Sequence, residues 1–224
     1  NTLSQCENVT PESIDLLYNT GTVIAGSNAD YKALVNYVTS HDMSDPENYA
    51  YAESKMDMVS YIDFKIAEAF SSNIDLHNIK FYRSNENDGK WRWILYDLDF
   101  AYRTLYGIVE QTLIDQYDSF SNALIQSLMR NSEFKDLYLT RMAHHLSTTF
   151  SQETVLQTLD QMVEQLDPEM ERNCERWGPS YETWQKNIER IRNIKPAVKG
   201  IYRAQRTAFY SVTERPGYGK IFFG

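Results

Sequence analysis

Ser71-Ser72-Asn73-Ile74-Asp75-Leu76-His77-Asn78 runs directly into Ile79-Lys80-Phe81-Tyr82, and after a short polar break the chain continues Trp91-Arg92-Trp93-Ile94-Leu95-Tyr96-Asp97-Leu98-Asp99. Aromatic and branched residues in the two apolar segments favour strands, and Asn87-Asp88-Gly89 between them is a turn signal. A β-hairpin is therefore predicted at about residues 78–97. Upstream, Met58, Val59, Ile62, Ile66, Ala69 and Phe70 recur at helical spacing between Lys55 and Phe70, with Asp57, Lys65 and Glu68 off the stripe, which predicts an amphipathic helix. Ser71-Ser72-Asn73 ends it, because such side chains compete for backbone hydrogen bonds. The helix thus delivers Asp75 beside the hairpin. Alternate residues of a strand face the same side, so Asp97 and Asp99 are expected to point one way while Tyr96 and Leu98 face the core. Asp75, Asn78, Asp97 and Asp99 are then candidates to converge.

Working outward, Thr10-Pro11-Glu12-Ser13 has the cap-then-proline pattern of a helix start, predicting a short helix that stops near Leu17 to Asn19, before Gly21. Tyr31, Leu34, Val35 and Val38 predict a second amphipathic helix over Asp30–Val38. Asp42 to Pro46 is turn chemistry, and Asn48 to Tyr51 a short helical piece. Beyond Tyr102 strand character stops: Ser119–Met129, Ser132–Leu146, Ser151–Leu166 and Tyr181–Ile194 read as helices, and Tyr202–Val212 as a last, basic one. The predicted fold class is mainly α with one small β-hairpin, without internal repeats or low-complexity linkers. Residues 1–213 read as one unit and 214–224, with Pro216-Gly217 before Ile221-Phe222-Phe223, as a linker or the opening of a further domain.

A chain of 224 residues with 42% apolar residues can build a core without disulfides or metals. Its formal net charge of −9 argues against a nucleic-acid backbone partner, which needs clustered cations. An anionic nucleotide would bind only through bound cations or a local basic pocket. No apolar run approaches the roughly 20 residues of a membrane span. The start at Asn1, with no leader ahead of it, fits a mature secreted chain or an excised fragment. Cys6 and Cys174 match neither a zinc nor a redox spacing; they read as two unrelated buried thiols, or as one long-range disulfide in an exported protein.

The acids suggest cation chemistry. Mg²⁺ or a similar hard cation takes oxygen ligands and retains waters, so a few carboxylate and amide oxygens plus phosphates complete its shell. Taken singly, each acid also fits a turn cap or a strand end. In protein kinases a catalytic-loop Asp accepts the proton of the attacking hydroxyl, a nearby Asn binds one metal ion, and an Asp after a short hairpin holds metal at the phosphates. The order helix, Asp75, Asn78, hairpin, Asp97 repeats that arrangement without His-Arg-Asp or Asp-Phe-Gly, and with three residues from Asp to Asn instead of five.

Asn73-Ile74-Asp75 through Asn78-Ile79-Lys80-Phe81-Tyr82, Gly89-Lys90-Trp91 and Tyr96-Asp97-Leu98-Asp99 resemble the spore coat protein H (CotH) kinase-like family, with Tyr96 where a Trp is usual. Arg176-Trp177 and Trp184 with the helix after it resemble that family's C-terminal helices, so the likeness covers roughly residues 30–213. The resemblance implies an atypical protein-kinase-like C-terminal lobe that transfers the γ-phosphoryl of ATP to protein Ser or Thr with Mg²⁺ or Mn²⁺. It implies Asp75 as the catalytic acid, Asn78 and Asp97 as metal ligands at the nucleotide, and Asp99 as a second ligand or support. It also implies a protein substrate or coat protein as partner, and an extracellular, cell-surface or spore-coat location. No Gly-x-Gly-x-x-Gly precedes Asp75, so the chain is expected to bind nucleotide poorly unless an N-terminal nucleotide lobe completes it.

Two other classes fit the residues. One is a non-catalytic surface or spore-coat module whose many Tyr and Trp residues bind protein or glycan. The other, a glycosidase-like carboxylate pair, fits less well, because acids on one side of a strand do not flank a substrate. His144 and His145 point about 100° apart on a helix and do not share a metal easily. His77 in the acidic loop is either a phosphate or carboxylate contact or a solvated side chain. Lys186 to Arg206, with Arg190, Arg192, Lys195, Lys199, Arg203 and Arg206, reads as a charged helix face or, alternatively, a contact for phosphate or an acidic partner.

Overall fold

The computed structural model describes residues 2–71, 73, 75, 77–102 and 119–193, with side chains from 123 onward in the last stretch. Helix α1 (Thr2–Glu7) leads to strands β1 (Ile14–Tyr18) and β2 (Thr22–Ala25), then helices α2 (Ala29–Ser40), α3 (Pro46–Lys55) and α4 (Met58–Ser71). Strands β3 (Lys80–Ser84) and β4 (Arg92–Ile94) follow, and then helices α5 (Ser119–Leu128), α6 (Ser132–Ser147), α7 (Gln152–Trp177) and α8 (Tyr181–Arg192). The described chain is mostly helical, with one antiparallel four-stranded sheet ordered β2-β1-β3-β4.

The predicted hairpin is present, with Phe81 opposite Trp93 and Tyr82 opposite Arg92. Gly89 turns it at φ 70, a conformation open to glycine at no steric cost. Asp88 accepts the Lys90 N–H at 3.0 Å and pairs with Arg92. The hairpin is not alone, however. Residues 14–18, expected to be helical, form β1 between β2 and β3. The Thr10-Pro11 signal is used up by a single 3₁₀ turn at Pro11–Ser13. Five residues are too few to nucleate a stable helix, whereas a central strand pairs its N–H and C=O groups on both edges and buries Ile14 and Leu17 completely or nearly so.

Asp15 locks this added strand in place. Its carboxylate is buried, accepts the Ser27 N–H at 2.6 Å and the Arg83 Nε–H at 2.9 Å, and so joins the β2–α2 corner to β3. Gly26 sits against it at φ 70, where a Cβ would lie 2.1 Å from Asp15 Oδ1 and 2.8 Å from the Ile14 carbonyl oxygen. Only glycine fits that approach.

Helix α2 buries Tyr31, Leu34, Val35 and Val38, the four positions its periodicity predicts. Helix α4 departs from expectation. It begins after a break at Met56-Asp57, leaving Lys55 to α3, and it packs against both β4 and α6. An element covered on several sides does not keep a polar face: Lys65 and Glu68 are buried, while Val59 is 40% exposed. Above α4, Tyr61, Trp93, Phe81, Trp91 and Tyr31 form a chain of ring contacts 4.2–5.8 Å apart. The Ser60 hydroxyl accepts the Trp93 N–H at 2.9 Å, fastening the hairpin to the helix.

Helix α7 runs on to Trp177 through Pro168, where the sequence pattern ends it at Leu166. Contacts on both sides of the proline hold it: Arg192 of α8 pairs with Asp160, the Tyr181 hydroxyl donates to Asp167, and Cys174 is buried. Both thiols are free and Cys6 is exposed, which overturns the expectation of two buried thiols and also of a bridge between them. The predicted helix Tyr202–Val212, the segment 214–224, and Lys195, Lys199, Arg203 and Arg206 lie outside the described residues. Among the described residues no helix is long and apolar enough to cross a membrane.

Candidate functional site

The C-terminus of α4, the approach to β3 and the segment after β4 meet at Asn78. Its side-chain amide donates to Asp75 Oδ2 at 2.9 Å and to Asp97 Oδ2 at 3.0 Å, so one NH₂ group joins the two acids. Its carbonyl end accepts from the Tyr18 hydroxyl at 3.2 Å and, more weakly, from the Tyr96 hydroxyl at 3.4 Å. Tyr18 ends β1 and Tyr96 follows β4, so strands from both hairpins orient one amide. Lys80, the first residue of β3, lies 4.0 Å from the centre of the Tyr96 ring. This cation–π contact holds the Tyr96 ring against the start of β3.

Three of the four candidates are brought together, and the fourth is not. Strand β4 ends at Ile94, Asp97 adopts φ 58, and Asp99 lies in a turn. The alternation argument for a shared side therefore fails: the chain has left the strand, and a left-handed residue re-aims the backbone. Aspartate is among the few residues that tolerate this conformation. Asp99 is exposed and hydrogen-bonds to none of the other three. His77 is exposed, with its backbone N–H 3.4 Å from Asp75 Oδ1. Among the described residues, no group of three or more His, Cys, Asp or Glu side chains gathers as a metal-binding cluster.

Behind Asp75 stands a layer that hydrophobic periodicity does not reveal. Asn73 is fully buried; its Oδ1 accepts the Asp75 N–H at 3.2 Å and its Nδ2 donates to Glu68 Oε2 at 2.9 Å. Burial pushes the Glu68 carboxyl up to about 6; the hydrogen bond from Asn73 and the charge of Lys65 pull against that, and Asp75 adds to it. The Tyr96 hydroxyl is held above the usual phenol range by burial, then by Tyr18, Asp97 and Asp75. The helical spacing puts Glu68 on the polar face of α4 and Tyr18 in a helix, so neither stands out in the sequence; Asn73 reads there as a helix stop and as the first residue of the Asn-x-Asp motif, without a contact to Glu68.

Several other histidines and bases pair within the fold among the described residues. His145 Nε2 lies 3.0 Å from Asp63, which Arg141 also grips, tying α6 to α4. Partial burial works against Asp63, but the bonds from Arg141 and His145 outweigh it and hold the carboxyl below its usual range. His144 stacks edge-on against His145. Lys186 pairs with Glu182, and Arg192 with Asp160 and Glu189, so two of the three described bases of this stretch are ion-paired on the helix.

The site brings together two carboxylates and one side-chain amide. The Asn78 NH₂ occupies the place between the two carboxylates, where a hard cation would otherwise neutralise them. Turning the amide by 180° presents Oδ1 there instead, since both ends of an Asn side chain have the same shape. A family profile described as CotH kinase protein matches residues 6–195 of the chain. No curated protein and no solved structure matches it.

Proposed function

Because the chain belongs to the CotH kinase family, we propose that its kinase-like function is phosphotransfer at the Asp75–Asn78–Asp97 site, from ATP to a protein Ser or Thr hydroxyl. The observation that carries this is the single Asn78 amide bridging two carboxylates. Asp97 and Asn78 would hold Mg²⁺ or Mn²⁺, which when bound neutralises charge on the transferring phosphoryl group. Asp75 accepts the proton of the acceptor hydroxyl as its oxygen bonds to the γ-phosphorus, the bond to the β,γ-bridging oxygen breaks and ADP leaves. The Asp75 backbone is fixed from behind by Asn73, and its carboxylate accepts from the Asn78 NH₂ until that amide turns to present Oδ1 to a cation. Tyr18 and Tyr96 hold the Asn78 amide in line. Asp99 is assigned an outer, supporting place, since the contacts among the other three do not include it. The fold reading is a kinase-like C-terminal lobe over residues 1–213, with ATP bound fully only when a nucleotide lobe stands beside it. The location proposed is the spore coat or cell surface, with a coat or surface protein as substrate.

Calorimetric titration of Mn²⁺ and Mn²⁺-ATP into the folded chain, with Asp97→Ala and Asp75→Ala beside it, tests the assignment. Asp97→Ala is expected to abolish metal binding. Asp75→Ala is expected to keep metal binding and lose transfer to a protein acceptor. Absence of binding in both this chain and an N-terminally extended one refutes the proposal and favours a surface-binding module.

A further inference from the structure

Glu68 is 5% exposed and sits in the last turn of α4, where the negative end of the helix dipole already disfavours an acid. One carboxylate oxygen, Oε1, is buried with no hydrogen-bond partner among the described residues. A buried carboxylate short of partners costs stability and survives where something else depends on it. The other oxygen, Oε2, accepts from Asn73 Nδ2 at 2.9 Å.

We infer that Glu68 is a positioning residue for Asp75, acting through the Asn73 side chain. An ionised carboxylate only accepts hydrogen bonds, so the end of the Asn73 amide facing it must be the NH₂. That leaves Oδ1 turned toward the Asp75 N–H, 3.2 Å away, and it places Nδ2 also 3.5 Å from the Asp75 carbonyl oxygen. Asn73 in turn anchors its own N–H to the Glu68 carbonyl oxygen at 3.2 Å, so residue 73 cannot drift from the helix end. Glu68 thereby chooses the amide orientation, and the amide sets the Asp75 backbone. The value of this relay to catalysis rests on the phosphotransfer reading; its geometry does not.

The test compares the wild-type chain with Glu68→Gln, Glu68→Leu, Asn73→Ala and the Glu68→Leu/Asn73→Ala double variant. Three quantities are measured: thermal midpoint, hydrogen exchange at the Asp75 amide, and Mn²⁺ affinity by calorimetry. Glu68→Leu is expected to speed exchange at Asp75 and, like Asp75→Ala, to leave Mn²⁺ binding in place, since the relay ends on a residue that is not a metal ligand. Its thermal midpoint should be unchanged or higher, since an apolar side chain replaces a buried charge. Glu68→Gln keeps an acceptor and should retain both exchange and affinity. In the Asn73→Ala background Glu68→Leu should add nothing, the mark of two residues acting in series. Unchanged exchange in Glu68→Leu, or an equal further loss in the Asn73→Ala background, overturns the relay. If exchange responds as stated while neither the wild-type chain nor an N-terminally extended one binds Mn²⁺, the relay stands and the phosphotransfer reading fails.

Discussion

Replacing Glu68 by Gln should change how stability depends on pH, by an amount fixed by the burial of one carboxyl. Burial lifts its pKa from 4.5 to about 6 in the folded chain, while the unfolded chain keeps the ordinary value. Below pH 4.5 both states hold the proton and the group contributes no penalty. Between 4.5 and about 6 the unfolded state releases the proton while the folded state retains it, so stability falls as pH rises. Above about 6 both are ionised and the penalty is constant, at about 2 kcal/mol for a shift of this size. Set against a typical total of about 5–15 kcal/mol, that is a large share. Gln cannot ionise, so the stability of Glu68→Gln relative to wild type should rise by about 2 kcal/mol between about pH 4 and pH 7.5. Any fixed difference in packing cancels from this slope. Urea unfolding across that range, followed by fluorescence of the buried Trp91 and Trp93, reads it directly. A difference that stays flat, or that favours the variant toward low pH, refutes the assignment of a buried, ionised Glu68.

Gly26→Ala should destabilise by about 3 kcal/mol, combining the left-handed backbone with displacement of Asp15 from its partners; equilibrium unfolding within about 1 kcal/mol of wild type would contradict this. Phe81→Ala removes the centre of the ring cluster, and a loss of about 3–5 kcal/mol is expected by the same method. Asp97→Gly frees a left-handed position and should gain about 1 kcal/mol of stability while losing Mn²⁺ binding in calorimetry; a loss of stability would mean Asp97 serves the fold more than the site. Asp63 has a lowered folded pKa, so its contribution is present at neutral pH and lost as pH falls through that value. Asp63→Asn should therefore be less stable at neutral pH and show a shallower acid limb in the same unfolding experiments.

Where a fold element rests on its own residues, the sequence reveals it. The four buried positions of α2 follow from spacing alone, and so does the hairpin turned at Gly89. Residues 14–18 are different. Their strand state depends on Phe81, Tyr82 and Arg83 far along the chain, and no local pattern records that partnership. The same applies to α4: periodicity presumes one polar face, and Lys65 and Glu68 lose theirs because neighbours distant in sequence cover the helix. At the site, Asp75, Asn78 and Asp97 were legible through the order of helix, acid and hairpin, and the structure puts them in contact. The shared side of Asp97 and Asp99 was not, because strand alternation holds only while pairing lasts and β4 stops at Ile94. Tyr18 and Glu68 escaped notice for these two reasons in turn.

The pairing of β1 with β3 joins Ile14 to Ser84 and Tyr18 to Lys80, and this has a kinetic consequence. Helices such as α2 and α4 close short loops and form from local contacts, whereas β1 must find a partner across three intervening helices, at the loop-entropy cost that makes distant pairings slow. Tyr18 reaches Asn78 only once that pairing exists. In refolding, the helices should thus precede the site, and competence to bind Mn²⁺ should arrive with the last and slowest phase of collapse.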